Sequence, residues 1–331
     1  MKIKVIFTGG TIGSAADSGR ISPSESTRCR LIADCREKGV EFETFAPYTV
    51  LSENLTGEHL TKLLQAVSVA ASGDCDGVIV THGTDTLQYS SAALGYAFAG
   101  CQKPIVVVSS NFPLGDARAN GQANFDAAVA FIRQNISGVF VSYRNTGERA
   151  VGIHRATRLM RHREYDDKLF SLGGRFGEVA DGRFTRNPDY AAEADSPAAL
   201  KALPDLTKAR VLRLDCSPGM LYPDSLAGCS AALLISYHSG TVRTVGTDFG
   251  RFCKAAASEG KPIFLFGAMP GTQYESTDAF ADAGITRLPR ISATAAYMKL
   301  WLLCAAGFEK DALKAAALNP LGCDTVRIKE V

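Results

Sequence analysis

Two short segments set hydroxyls and a carboxylate among glycines at the ends of apolar runs. The first is Phe7-Thr8-Gly9-Gly10-Thr11-Ile12-Gly13-Ser14. Glycines let the backbone approach a ligand closely and offer N–H donors. A threonine or serine hydroxyl on such a hinged loop is an arrangement suited to covalent catalysis. The plain alternative is a tight turn with capping hydroxyls. A dinucleotide-binding turn fits less well, because the Gly-x-Gly-x-x-Gly spacing is absent. The second segment is Val78-Ile79-Val80-Thr81-His82-Gly83-Thr84-Asp85-Thr86-Leu87. It runs from strand to helix and puts Thr84 and Asp85 at the helix start. Asp85-x-x-Gln88 fits a capping box, and an acid in the first turn suits the helix dipole. Capping alone does not call for Thr81, His82, Gly83 and Thr84 in a row.

The elements that must hold these segments are readable from periodicity. Lys2–Phe7, Glu41–Ala46, Gly77–Thr81, Pro104–Val108 and Gly138–Ser142 are short and rich in β-branched residues, as buried parallel strands are. Helical spacing separates them, marked by Leu60, Leu63, Leu64 and Val67, then Leu87, Ser91, Leu94 and Phe98, then Phe125, Val129 and Ile132. This alternation predicts a doubly wound, mainly parallel sheet with right-handed crossovers and a site beyond the strands' carboxyl ends. A proline- and alanine-rich stretch reads as a linker over 187–208, between a larger domain at 1–186 and a smaller α/β domain at 209–331. In the latter, Val211–Leu214, Ala231–Ser236 and Pro262–Phe266 read as strands, and Phe252–Ser258, Ser292–Ala305 and Lys310–Leu318 as helices.

Composition bounds the function. The 331 residues are 46% hydrophobic and 21% charged, as in an ordinary globular enzyme. Lysine and arginine number 36 against 34 aspartates and glutamates, which argues against nucleic acid or an anionic membrane as the main partner. No apolar run reaches the ~20 residues of a membrane span, and the first residues have too short an apolar core for a signal peptide. The nine scattered cysteines fit free thiols in a reducing cytoplasm, with no disulfide framework or zinc site. His154 and His238 lack acidic or cysteine partners at ligand spacing, so a structural role is expected and no metal. Cys75 and Cys101 read as small core residues.

Taken together, Gly9-Gly10-Thr11-Ile12 after the first strand and His82-Gly83-Thr84-Asp85-Thr86 after a later one resemble the two signatures of the bacterial-type L-asparaginase family. Ser52-Glu53-Asn54-Leu55-Thr56, Asn120-Gly121-x-x-Asn124 and Tyr237-His238-Ser239-Gly240-Thr241 also fall where motifs of that family are expected. The resemblance implies amide hydrolysis through a threonine acyl-enzyme, without a cofactor. It makes Thr11 the nucleophile, and sets Thr84 and Asp85 in a second constellation with a lysine. Asp85 would hold the substrate's α-amino group, and Ser52 and Glu53 its α-carboxylate. Gly10 would line the site, and the backbone around Gly83 and Thr84 would form the oxyanion hole. It also implies a cytoplasmic homodimer or homotetramer, with Glu275 reaching a neighbouring subunit's site.

The sequence departs from that pattern twice. No lysine occurs between Asn145 and Asp167, and either Met160 or Arg161 takes the lysine's place. Arginine supplies charge but cannot act as a general base. The loop after the first motif carries no tyrosine, and Arg20 is its nearest large polar residue. Three readings stay open: an asparaginase with another proton acceptor, His162 or Lys168; an enzyme for a different substrate, for which Arg20 and Arg161 suggest an extra carboxylate or a bulkier amide; or an amino-acid-binding protein that has lost catalysis. An amidotransferase component and a nicotinamide-dependent enzyme rank below these. His162 itself reads first as a solvated residue in a basic run. The cluster Arg155, Arg158, Arg161 and Arg163, followed by Glu164, Asp166 and Asp167, reads as a charge-balanced solvated or interface segment.

Overall fold

The structure is a computed structural model. It describes residues 1–17, 20–23, 25–193, 200–268 and 274–327, without the side chains of 13–17, 20–23, 25, 26 and 28. Strand β1 (Lys2–Phe7) leads into a ribbon of β2 (Ser14–Asp17) and β3 (Arg20–Pro23), then helix α1 (Glu25–Ala33) and β4 (Glu41–Phe45). There follow α2 (Gly57–Ser72), β5 (Gly77–Thr81), α3 (Leu87–Ala97), β6 (Pro104–Val108), α4 (Gly121–Ile132) and β7 (Gly138–Tyr143). Three further strands complete the first sheet: β8 (Val151–Arg155), β9 (Gly177–Ala180) and β10 (Arg183–Arg186). Its order is β10-β9-β8-β7-β6-β5-β1-β4. Strands β4, β1, β5, β6 and β7 run parallel, and β8 to β10 continue antiparallel.

The parallel strands are where the apolar runs predict them. Residues of β5 and β6 are buried without exception, because helices cover both faces. Helices α2 and α3 pack on the face carrying Val78, Val80, Ile105 and Val107. Helices α1 and α4 pack on the opposite face, with Ile79, Val106 and Val108. One expectation fails here. Helices α3 and α4 both follow a step in the same direction across the sheet yet lie on opposite faces, so their crossovers have opposite hands. The connection through α4 has the hand opposite to those through α1, α2 and α3, an exception to the right-handed rule. The antiparallel strands β8 to β10 also lie outside the expected pattern, since Val151–Arg155 ends in a histidine and an arginine.

The second sheet holds β11 (Val211–Asp215), β12 (Ala231–Ile235), β13 (Ile263–Phe266) and β14 (Thr286–Arg287), all parallel and in that order. Helices α5 (Thr247–Ser258), α6 (Glu275–Asp282), α7 (Ala293–Ala305) and α8 (Lys310–Leu318) accompany it. The fold is therefore α/β, with a large mainly parallel sheet and a smaller second one. Helix α7 also packs on α3, where Ala295, Met298 and Leu302 join the first domain's core. The chain after α8 returns to the same place. Asp324, fully buried, accepts from Tyr96 Oη (3.1 Å), Lys299 Nζ (2.9 Å), the Leu321 amide (3.1 Å) and Thr325 Oγ1 (2.9 Å). No helix among the described residues is long and apolar enough to cross a membrane.

Candidate active site

Strands β1 and β5 are neighbours, with Phe7 level with Thr81, so both motif loops leave the sheet at one edge. The strand order reverses there, with β4 on one side of β1 and β5 on the other. Open α/β sheets bind ligands at such a switch point. Thr8 Oγ1 donates to the Thr81 carbonyl at 2.7 Å. Gly10 has φ +73°, and a Cβ there would stand 2.3 Å from the backbone N and Cα of Gly83. A Cβ on Gly83 would in turn meet the Cβ and Oγ of Ser52 at 2.5 Å. Three segments far apart in sequence thus close on one another at glycines, because no other residue leaves the room.

The Asp85 carboxylate faces this junction. Ser52 Oγ donates to Asp85 Oδ2 at 3.0 Å, and Thr86 Oγ1 donates to the Ser52 carbonyl at 3.0 Å. The capping box is not formed. Helix α3 starts at Leu87, its N-cap Thr86 makes no side-chain cap, and the Gln88 amide donates to the Asp85 carbonyl at 3.2 Å. His82 is buried, and its Nδ1 lies 2.8 Å from the Gly83 carbonyl. A carbonyl only accepts, so Nδ1 carries the proton. Burial lowers the His82 pKa against the opposing pull of Gly83 and Asp85, so the ring stays neutral and holds the turn.

Beyond Asp85 opens a cleft of about 570 Å³, lined by Thr84, Asp85, Gln88, Asn111 and Tyr143 on one side and by residues 161–167 on the other. The loop carrying 161–167 is pinned at both ends. The Met160 amide donates to the Phe170 carbonyl at 2.9 Å, and that of Leu172 to the Arg158 carbonyl at 2.8 Å. Asp167 accepts from Asn111 Nδ2 (2.9 Å) and Thr146 Oγ1 (2.5 Å), and its carbonyl takes the Tyr143 hydroxyl (2.9 Å). Burial alone would raise the Asp167 carboxyl, but the hydrogen bonds from Thr146 and Asn111 prevail and hold it below the usual range.

Thr84, Asp85 and Arg161 therefore share one cleft, and Ser52, closed against Gly83, is tied to it by its hydrogen bond to Asp85. Thr11 opens a single 3₁₀ turn (Thr11–Gly13) directly after Gly10 and is not among the lining residues. Glu53 is exposed on the short turn Ser52–Asn54 and lines nothing there. Arg20 lies on β3, its side chain outside the described residues. Glu275 heads α6 in the second domain, is exposed and is not among the residues lining the cleft.

The basic cluster is corrected by the structure. Arg155 and Arg158 are buried framework residues. Arg155 pairs with Glu193 at 2.8 Å, and Arg158 donates to the carbonyls of Cys323, Ala191, Ala192 and Thr325. Only Arg161 and Arg163 face the cleft. His162 is also corrected: it is half-buried in the cleft wall, with both ring nitrogens buried. His154 is buried against Ser171 Oγ (2.8 Å), and His238 is exposed. Among the described residues no His, Cys, Asp and Glu side chains group as a metal site would need. Asn111, Tyr143 and Asp167 escape a reading of the sequence alone. The first two follow or end β6 and β7, so their strand-end positions are the signal.

The family description "Asparaginase, N-terminal" matches residues 2–183. The chain is 26% identical to L-asparaginase of Thermococcus kodakarensis over 326 residues, covering 92% of this chain and 93% of that protein. It is 31% identical over 264 residues to a glutamyl-tRNA(Gln) amidotransferase component of Thermoplasma acidophilum, 76% of this chain but only 60% of the relative. The solved structure of the thermostable Thermococcus kodakarensis L-asparaginase superposes with a TM-score of 0.80 at 22% identity, over 99% of this chain and 100% of that one. The probable cytoplasmic L-asparaginase of Campylobacter jejuni gives 0.75 at 19% identity, over 96% and 99%. The shared fold, the matched first domain and the meeting of both motif loops lead to one assignment: the chain belongs to the asparaginase family of amidohydrolases.

Proposed function

We propose that the protein hydrolyses L-asparagine to L-aspartate and ammonia through an acyl-enzyme on Thr11. The observation that carries this is the closure of Gly10, Gly83 and Ser52 on one another with the Asp85 carboxylate turned inward to Ser52. That carboxylate suits a substrate α-ammonium, and the Ser52 hydroxyl supplies a neighbouring polar group. The Thr11 hydroxyl attacks the side-chain carbonyl, the C–N bond breaks with loss of ammonia, and water then cleaves the ester. Backbone N–H groups at Gly83 and Thr84 are the oxyanion donors, each worth roughly 3 kcal/mol in a site of this kind.

A second reading is favoured by one feature. The cleft runs outward from Thr84 and Asp85 to Arg163 and Tyr165, so a bulkier amide has room there. The amidotransferase relative gives that reading a precedent. Ammonia release from L-asparagine, L-glutamine and D-asparagine, with Thr11→Ala beside the wild type, tests both. Release from L-asparagine that disappears in Thr11→Ala supports the first reading. No release from any of the three, in folded protein, refutes it.

A further inference from the structure

The substrate's α-carboxylate finds no partner in the two side chains that the motif resemblance names for it. Ser52 has a single hydroxyl proton, and it goes to Asp85 Oδ2 at 3.0 Å. Glu53 is exposed, does not line the cleft and bears the same charge as a carboxylate. Two cations do line the cleft, Arg161 and Arg163. Arg163 lies over the Phe170 ring, its guanidinium carbon 4.8 Å from the centroid. Arg161 makes no hydrogen bond or ion pair among the described residues. Its backbone is nonetheless fixed, because the preceding Met160 amide donates to the Phe170 carbonyl at 2.9 Å.

Asp85 and Arg161 thus share one cleft without pairing with each other. Opposite charges left apart in one cleft match a zwitterion, whose ammonium and carboxylate sit on a single carbon. We propose that Arg161 binds the substrate's α-carboxylate, so that the site takes free amino-acid amides and discriminates against those with a blocked α-carboxyl. This rests on the reading above, in which Asp85 holds the α-ammonium.

The chemistry of the side chain suits the role. A planar guanidinium meets a carboxylate with two parallel N–H bonds, which fixes orientation as well as charge. It moves no proton, so the residue standing where a lysine is expected binds and does not act as a base. The acids of its own loop do not claim it. Asp166 Oδ1 accepts from the Lys168 amide at 3.0 Å, and Asp167 accepts from Asn111 and Thr146. Both carboxylates are therefore held by neutral donors, and the Arg161 guanidinium is left for a ligand. Two charged contacts at one carbon leave the side-chain amide of the amino acid free for attack.

The test is ammonia release from L-asparagine and from its α-methyl ester by wild type, Arg161→Gln and Arg161→Lys. Wild type is expected to favour L-asparagine in kcat/KM by roughly ten- to hundredfold, the usual worth of a hydrogen bond to a charged group. Arg161→Gln is expected to bring the two substrates within about threefold of each other, chiefly through a raised KM for L-asparagine. Arg161→Lys keeps the charge without the fork and is expected to fall between them. A wild type that treats both substrates alike overturns the proposal, whether or not the variants fold. So does a folded Arg161→Gln that keeps the wild-type preference, because exclusion of the methyl group would then explain it. Arg161→Ala decides in the same way if Arg161→Gln does not fold. A wild type that releases no ammonia refutes the hydrolase reading instead. The rise in melting temperature with L-asparagine, set against that with its ester in wild type and Arg161→Gln, then decides the contact by itself.

Discussion

Gly10→Ala probes the contact on which the site is built. The new methyl would lie 2.3 Å from the backbone of Gly83, against about 3.4 Å for ordinary contact. Neither partner is a flexible side-chain end, so the two motif loops must part by about 1 Å. A misplacement of that size costs on the order of 10²-fold in rate. A second, separate cost comes from φ +73°, roughly 1–2 kcal/mol for any residue with a Cβ. Gly39→Ala isolates that second cost, because Gly39 has φ +69° and its added methyl meets nothing within 4 Å. Thermal unfolding and ammonia release on both variants separate the effects. Both should melt a few degrees lower, at roughly 2–4 °C per kcal/mol for a domain of this size. Only Gly10→Ala should lose about two orders of magnitude in kcat/KM. If Gly10→Ala keeps the activity of Gly39→Ala, the two loops do not jointly build the site.

Two further outcomes follow from buried groups. Asp324→Ala strands the fully buried Lys299 ammonium and should destabilise by about 3–5 kcal/mol in urea unfolding, and Asp324→Leu combined with Lys299→Met should recover only the part due to the stranded charge, because Tyr96 and the Leu321 amide still lose their acceptor. A loss below about 1 kcal/mol for Asp324→Ala would contradict a buried pair. Acid should destabilise the wild type through His154, whose pKa burial and then Arg175 push down to about 3. The unfolded chain takes up this proton near pH 6.5 and the folded one only near pH 3, so the stabilisation present above 6.5 is lost as pH falls, by up to about 1.4 kcal/mol per unit. Urea midpoints at two pH values should fall less steeply in His154→Gln, and equal slopes would refute the assignment.

Much of the fold could be read because its parallel strands are buried on both faces and therefore apolar throughout. Strands Gly77–Thr81 and Pro104–Val108 declare themselves this way, and the two motifs stand at strand ends where chemistry is expected. The antiparallel edge is different. Val151–Arg155 is wholly buried yet carries His154 and Arg155, which are tolerated only because Ser171 and Glu193 supply partners from later in the chain. Such pairings have no local signal. Arg158 misled for the same reason: its guanidinium is satisfied by carbonyls at 191–192 and 323–325, so a basic run on paper is a tie between distant segments. Asp85 shows the converse. Its spacing to Gln88 fits a local cap, and the non-local Ser52 hydroxyl takes its carboxylate instead.

The return of the chain to Tyr96 bears on synthesis. Helix α3, which follows directly from the His82–Asp85 turn, buries its outer side against α7 and Asp324, and Tyr96 and Asp324 are 228 positions apart. At the usual pace of translation, about 5–20 residues per second, that interval is roughly ten to forty-five seconds. Once β7 has been made, the nascent amino-terminal half holds its parallel strands beside an apolar helix that stays uncovered until α7 emerges, and the turn at its head is not yet braced. The chain is therefore most exposed to aggregation while the ribosome is still making the second domain.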